Sequence, residues 1–170
     1  MQKSATRRWK KNASSALTRA LRFERQGKRF FTAAASKSAD AFARQVFELL
    51  AVLEDKHVQD ILEISRQLDA DGKFPPVSSA PSEARMRMFK RETSRIRKEK
   101  TISGDAAAAM RKALGFEAEG REMYRRMSEG ASHPQERKFF KLLSNEEGKH
   151  FEVIYEYLDF LEATGLRMGE

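Results

Sequence analysis

The sequence predicts an all-α fold: a four-helix bundle of two repeated antiparallel hairpins joined by a long crossover, as a single domain over residues 1–170. Three observations predict it. Apolar residues recur at three- and four-residue spacing along four long stretches, the period of helices that pack in bundles. The chain also matches itself at an offset of 93: between 20–61 and 113–154, 13 of 42 positions are identical with no gap, against about three expected from average residue usage. Between the two copies, residues 70–82 ("ADGKFPPVSSAPS") are rich in Pro, Ser and Gly, a break in helical patterning.

The first hairpin spans about residues 15–69. Its first helix runs from about Ser15 to Ser36, and its second from about Ala39 to Asp69, closed by the stop signal Asp71-Gly72. The crossover covers 70–104, within which 83–100 read as an extra helix carrying Met86, Phe89, Thr93 and Ile96 on one side. The second hairpin spans about 105–164. Asp105 is placed as the N-cap before "AAAAM", and the helix it opens ends at Glu129-Gly130. The last helix opens at Pro134, a favoured first helical position, and runs to about Thr164-Gly165. Connections this short, 36–39 and 130–133, make the helices of each pair antiparallel neighbours.

Each apolar seam is interrupted by ionisable or absent side chains at mid-helix. The seams read Leu17, Ala20, Glu24, Gly27, Phe31, Ala34; then Phe47, Leu50, Glu54, His57, Ile61, Ile64, Leu68. In the second repeat they read Met110, Ala113, Glu117, Gly120, Tyr124, Met127; then Phe140, Leu143, Glu147, His150, Ile154, Tyr157, Leu161. At 1.5 Å per residue, Glu24 lies ~20 Å below the first turn and Glu54 ~24 Å below it on the return helix. The repeat carries the same spacing into the second hairpin, so all six groups fall in one layer.

Four carboxylates in an apolar core do not stand alone, since an unpaired buried charge costs several kcal/mol. Two divalent cations match them by charge, and a Glu and a His at i,i+3 present both side chains to one ion. The expected metal ligands are Glu24, Glu54, His57, Glu117, Glu147 and His150, with Glu54 and Glu147 as bridges. Glu24 with His57, and Glu117 with His150, complete the terminal sites, with the assignment of each Glu to an ion left open. Imidazole and carboxylate donors suit iron, manganese or zinc. Gly27 and Gly120 sit one turn beyond the single glutamates, where a glycine costs ~1 kcal/mol against alanine; room for the metal layer and close helix packing are equally good reasons for them. Met110, Met123 and Met127 read as core filler, Trp9 as a packing anchor, and His133 as a cap or solvent residue.

Composition narrows the chemistry further. With no cysteine, disulfides, thiolate metal sites, iron–sulfur clusters and thiol catalysis are excluded, and a reducing, cytoplasmic location is expected. No apolar run approaches the ~20 residues that span a bilayer, so no membrane association is expected. The formal net charge of +8 is uneven: residues 1–29 hold ten Lys and Arg against one Glu. Such a tract suits either nucleic-acid contact or a solvated helix face, and the solvated face is the preferred reading. The acid-free first 23 residues share their composition with organelle transit peptides but continue into a helix.

Two copies of Glu…Glu-x-x-His on four helices resemble the ferritin-like superfamily, and within it the rubrerythrin-like diiron proteins, over about 15–66 and 105–163. The resemblance implies a carboxylate-bridged centre of two iron ions that reacts, when reduced, with hydrogen peroxide or dioxygen, and a homodimer. Three departures accompany it. Rubrerythrins proper carry a cysteine-ligated rubredoxin domain, absent here, so an external electron donor is expected. They also tend to have a further glutamate where this chain has Gly120. Their tyrosine about two turns beyond the glutamate is matched by Tyr124, which is expected to hydrogen-bond a ligand carboxylate, but by Phe31 in the first repeat. The expected function is a dinuclear oxidoreductase of peroxidase or ferroxidase type. Iron storage or delivery without turnover, and a metal-stabilised binding module with a basic arm, are the alternatives.

Overall fold

The computed structural model describes residues 2–77, 87, 91 and 104–163. Among these, four helices account for nearly all of the structure and no strand occurs: α1 (Gln2–Lys37), α2 (Ala41–Asp71), α3 (Gly104–Gly130) and α4 (Pro134–Ala163). The expected helix over 83–100 falls outside the described residues except at Arg87 and Arg91, both helical and exposed. Residues 164 and 165, the expected end of the last helix, also lie outside them.

Local signals set the helix ends. Asp40 has extended geometry (φ −76°, ψ 122°) and its carboxylate accepts the Ala43 N–H at 2.7 Å, so it caps α2; such a cap contributes about 1 kcal/mol. The expected stop at Asp71-Gly72 is present: Gly72 turns left-handed (φ 64°) and donates its N–H to the Leu68 carbonyl. That conformation is open to glycine because it has no Cβ. At α4, His133 Nδ1 accepts the Gln135 N–H at 3.3 Å, the expected capping role.

Two boundaries differ from the sequence reading. Helix α3 begins at Gly104, which puts Asp105 inside the first turn rather than at the cap. Helix α1 begins at Gln2, more than three turns before Ser15. Nothing in 2–14 breaks a helix, and the extension gains tertiary contacts. The Trp9 indole stacks on His133 at 4.9 Å and donates Nε1–H to the buried Glu136 at 3.1 Å, so the basic stretch lies against the start of α4. Trp9 is thus an anchor, as expected.

Helices α1 and α2 pack along their length, as do α3 and α4, giving two hairpins. Between hairpins, α1 and α3 approach closely and run antiparallel, since Gly27 faces Phe116 while Gly120 faces Phe23. Helices α2 and α4 are antiparallel too, His57 meeting Glu147 and His150 meeting Glu54. The directions are therefore up, down, down, up, and the segment between α2 and α3 connects opposite ends of the bundle. This is the expected crossover, and it is needed because a short turn would reverse the direction of α3.

The core is split in two. One apolar cluster includes Phe31, Phe47, Leu50, Met110 and Ile154; the other includes Leu17, Ile61, Leu68, Met123, Tyr124 and Phe140. Met110 and Met123 are buried, one in each cluster, as expected of core filler, and Met127 packs partly exposed against the cluster of Met123. Between the clusters lies the polar layer. Among the described residues, no helix is long and apolar enough to cross a membrane.

Candidate metal centre

All six sequence-predicted residues meet in this layer. Glu24, Glu54, Glu117 and Glu147 are 0% exposed, His57 3% and His150 1%. They arrive there because each seam carries its polar residues at mid-helix and the hairpin turns hold the four helices in register. Their donor atoms form two overlapping groups, each within 4.8 Å: Glu24, Glu54, His57 and Glu147, and Glu54, Glu117, Glu147 and His150. Glu54 and Glu147 belong to both groups, and each remaining Glu and His to one. Donors at ~2.1 Å around one divalent ion stand up to ~4.2 Å apart, so each group needs only a small contraction to enclose a cation.

Both imidazoles aim Nδ1 into the layer. His57 Nδ1 lies 3.0 Å from Glu24 Oε2 and 3.3 Å from Glu147 Oε1. His150 Nδ1 lies 3.4 Å from Glu117 Oε2, 3.8 Å from Glu147 Oε2 and 4.0 Å from Glu54 Oε1. Both oxygens of Glu54, Glu117 and Glu147, together with His150 Nδ1, are buried without a hydrogen-bond partner. Seven orphaned polar atoms converging on one layer is an arrangement that burial penalises heavily, and cations at the two positions would satisfy it. The residues present fit a pair of carboxylate-bridged divalent ions.

The electrostatics carry the same strain. Burial first, then the charges of Glu24 and Glu147, hold the Glu54 carboxyl well above its ordinary range. Burial and the neighbouring Glu147 do the same to Glu117. Burial would also raise Glu147, but the close approach of His57, the neighbouring Glu117 carboxyl and the charge of the nearby imidazoles outweigh it and lower its pKa. Burial pulls His57 down, yet Glu24, Glu146 and Glu147 outweigh it and raise the imidazole above its usual value. For His150 burial prevails, and its pKa is lowered.

Two supporting contacts surround the ligands. The Tyr124 hydroxyl donates to Glu24 Oε1, and burial, then Glu24, keep this phenol well above its ordinary pKa. The second contact is one the sequence reading missed: Glu146 Oε2 stands 2.7 Å from His57 Nε2. Its signal was available in the repeat, where Glu146 aligns with Leu53, a charged residue at a position that is apolar in the other copy.

The walls differ on the two faces. On the α1–α3 face, Phe23 and Phe116, equivalent in the repeat, stack at 4.4 Å and 12°. A methyl group built on Gly27 would lie 2.6 Å from Glu54 Oε2 and 2.7 Å from Phe116, and one on Gly120 would lie 2.7 Å from Phe23. Both readings of the glycines hold for Gly27, which leaves room for a ligand carboxylate and for the facing ring. At Gly120 the space that a longer side chain would need is filled by Phe23. On the α2–α4 face a cavity of about 310 Å³ reaches the imidazoles, lined among others by Lys56, His57, Glu146, Lys149 and His150. No protein-family model, curated protein or solved structure matches this chain.

Proposed function

We propose that this chain is a ferritin-like, rubrerythrin-like oxidoreductase whose cofactor is a pair of iron ions, reacting with hydrogen peroxide or dioxygen and re-reduced by an external donor. The observation that carries the proposal is the pair of overlapping Glu/His groups with two shared carboxylates and seven orphaned buried donors. The up-down-down-up bundle with its end-to-end crossover supports the ferritin-like reading. When bound, two ferrous ions supply one electron each to the O–O bond of peroxide, which with two protons gives two waters.

The protein's part follows from its residues. Glu54 and Glu147 belong to both donor groups and would be shared by the two ions. His57 and His150 would each offer Nδ1 to an ion, and Tyr124, bonded to Glu24, holds that carboxylate's orientation. The apolar clusters above and below keep bulk water from the ligands. The cavity beside the imidazoles admits a small oxidant from the α2–α4 face. Manganese or zinc also fits these donors, but neither zinc nor a metal merely holding the fold would pass electrons to peroxide.

The test is anaerobic loading with Fe(II), followed by one equivalent of peroxide per pair of ions. Stoichiometric oxidation of both irons, seen by absorbance and Mössbauer spectroscopy, is the expected result. Ferrous iron that remains bound and unoxidised would rule out the redox function.

A further inference from the structure

The two halves of the centre are unequal, and two differences in outer contacts favour the same side. Glu24 receives the Tyr124 hydroxyl, but the position equivalent to Tyr124 in the first repeat is the buried Phe31, which has no hydroxyl for Glu117. His57 has Glu146 on its outer nitrogen, with the Glu146 side chain only 15% exposed. The position equivalent to Glu146 in the first repeat is the buried Leu53, which has no carboxylate to place behind His150. Accordingly both oxygens of Glu117 and Nδ1 of His150 lack hydrogen-bond partners, whereas Glu24 bonds Tyr124 and His57, and His57 is engaged through both ring nitrogens.

A carboxylate on the outer N–H of a ligating imidazole fixes its tautomer, leaves the inner nitrogen free for metal and strengthens it as a donor. A phenol on a ligating carboxylate fixes the carboxylate's orientation. Outer partners of this kind account for about 10–100-fold in metal affinity. The two partners act on different ligands of the same ion, so their effects fall on one position.

We propose that the two ion positions are filled in a set order, the Glu24–His57 position first and tightly, the Glu117–His150 position second and weakly, with Tyr124 and Glu146 as the positioning residues. This rests on the dinuclear reading above and deepens it. The weakly held ion is the one that exchanges.

The test is calorimetric titration of the metal-free full chain with Zn(II), which binds without redox change, repeated with Co(II) to read each step by its visible spectrum. The expected result is two ions per chain in two steps. Glu146→Leu and Tyr124→Phe, which copy the residues of the first repeat, should each weaken the tight step by about 10–100-fold and leave the weak step unchanged. Glu146→Gln, which keeps volume and polarity, should weaken the same step, and guards against a Leu variant that fails to fold. Two indistinguishable steps in the wild type, or a tight step that none of these variants moves, would overturn the ordered filling while leaving a dinuclear centre standing. Fewer than two ions at saturation would remove the dinuclear reading itself, and the ordering with it.

Discussion

The rings of His57 and His150, 93 positions apart in the chain, stack at 5.6 Å with 18° between their planes. Phe23 and Phe116, related by the same offset, stack on the opposite face of the layer. An axis of approximate two-fold symmetry therefore passes between both pairs and through the ligand layer. Duplication of one hairpin brings the two copies of the ligand set together, which is how three donors per helix pair become a closed set of six. Departures from that symmetry are then informative, and several expectations follow.

Removing a shared carboxylate should damage both ion positions together. Glu54 and Glu147 belong to both groups, so Glu54→Ala or Glu147→Ala should bring metal content below about half of the wild-type value. The melting temperature should fall only when metal is supplied, since binding free energy adds to folding stability. Metal analysis of the purified variants, with melting curves in chelator and in added metal, checks both statements.

The glycines separate ligand room from helix propensity. Gly27→Ala would force the methyl against Glu54 and Phe116, an overpacking cost of about 1–3 kcal/mol that outweighs the ~1 kcal/mol gained in propensity. Gly115 is also within α3, but nothing lies within 4 Å of its added methyl. Gly115→Ala should therefore stabilise by up to ~1 kcal/mol. Denaturant unfolding of both variants should give shifts of opposite sign, and Gly27→Ala alone should weaken metal binding.

The metal-free protein should lose stability as pH rises above about 4.5. Glu54 and Glu117, raised by burial and then by neighbouring carboxylates, titrate at 4.5 when unfolded. The folded state therefore holds more protons above that pH, and the stability present below 4.5 is lost as pH climbs through the folded values. Glu147, lowered to about 2, has its effect below 4.5, where its contribution is lost as pH falls. His57 is raised from 6.5, so its contribution is present below that pH and lost as pH climbs through its folded value, whereas His150 is lowered and its contribution is lost as pH falls below 6.5. Divalent metal should reverse the slope, because binding ejects the carboxyl protons. Melting curves across this range, with and without metal, read the change of sign.

The N-terminal turns should be structural. Trp9→Ala removes the stack on His133 and the hydrogen bond to Glu136, a loss of about 2 kcal/mol measurable by urea unfolding. Deleting residues 1–12 should lower the melting temperature by a similar or larger amount.

The reach of the sequence differed from residue to residue. Glu24, Glu54, His57, Glu117, Glu147 and His150 were legible because each sits on an apolar seam of 3-4 period, where a charge is conspicuous, and because the offset of 93 pairs them. Glu146 was not, since it stands one position off that seam, where a glutamate reads as solvent-facing. The start of α1 was missed for a related reason: Gln2–Ser14 carries no strong seam, and the contact that holds it, Trp9 on His133 and Glu136, comes from a helix more than a hundred residues away.

By itself the sequence determined the four helices, the pairing into hairpins, the crossover and the identity of the six polar residues in one layer. These follow from periodicity, turn chemistry and the repeat, all of which are local or self-similar properties of the chain. Only the tertiary structure decided which single Glu joins which His, that Glu24 is the carboxylate Tyr124 reaches, and that Glu146 stands behind His57. Those outcomes depend on how α1 meets α3 and α2 meets α4, a rotation and spacing between helices that side-chain packing sets and helical period leaves open.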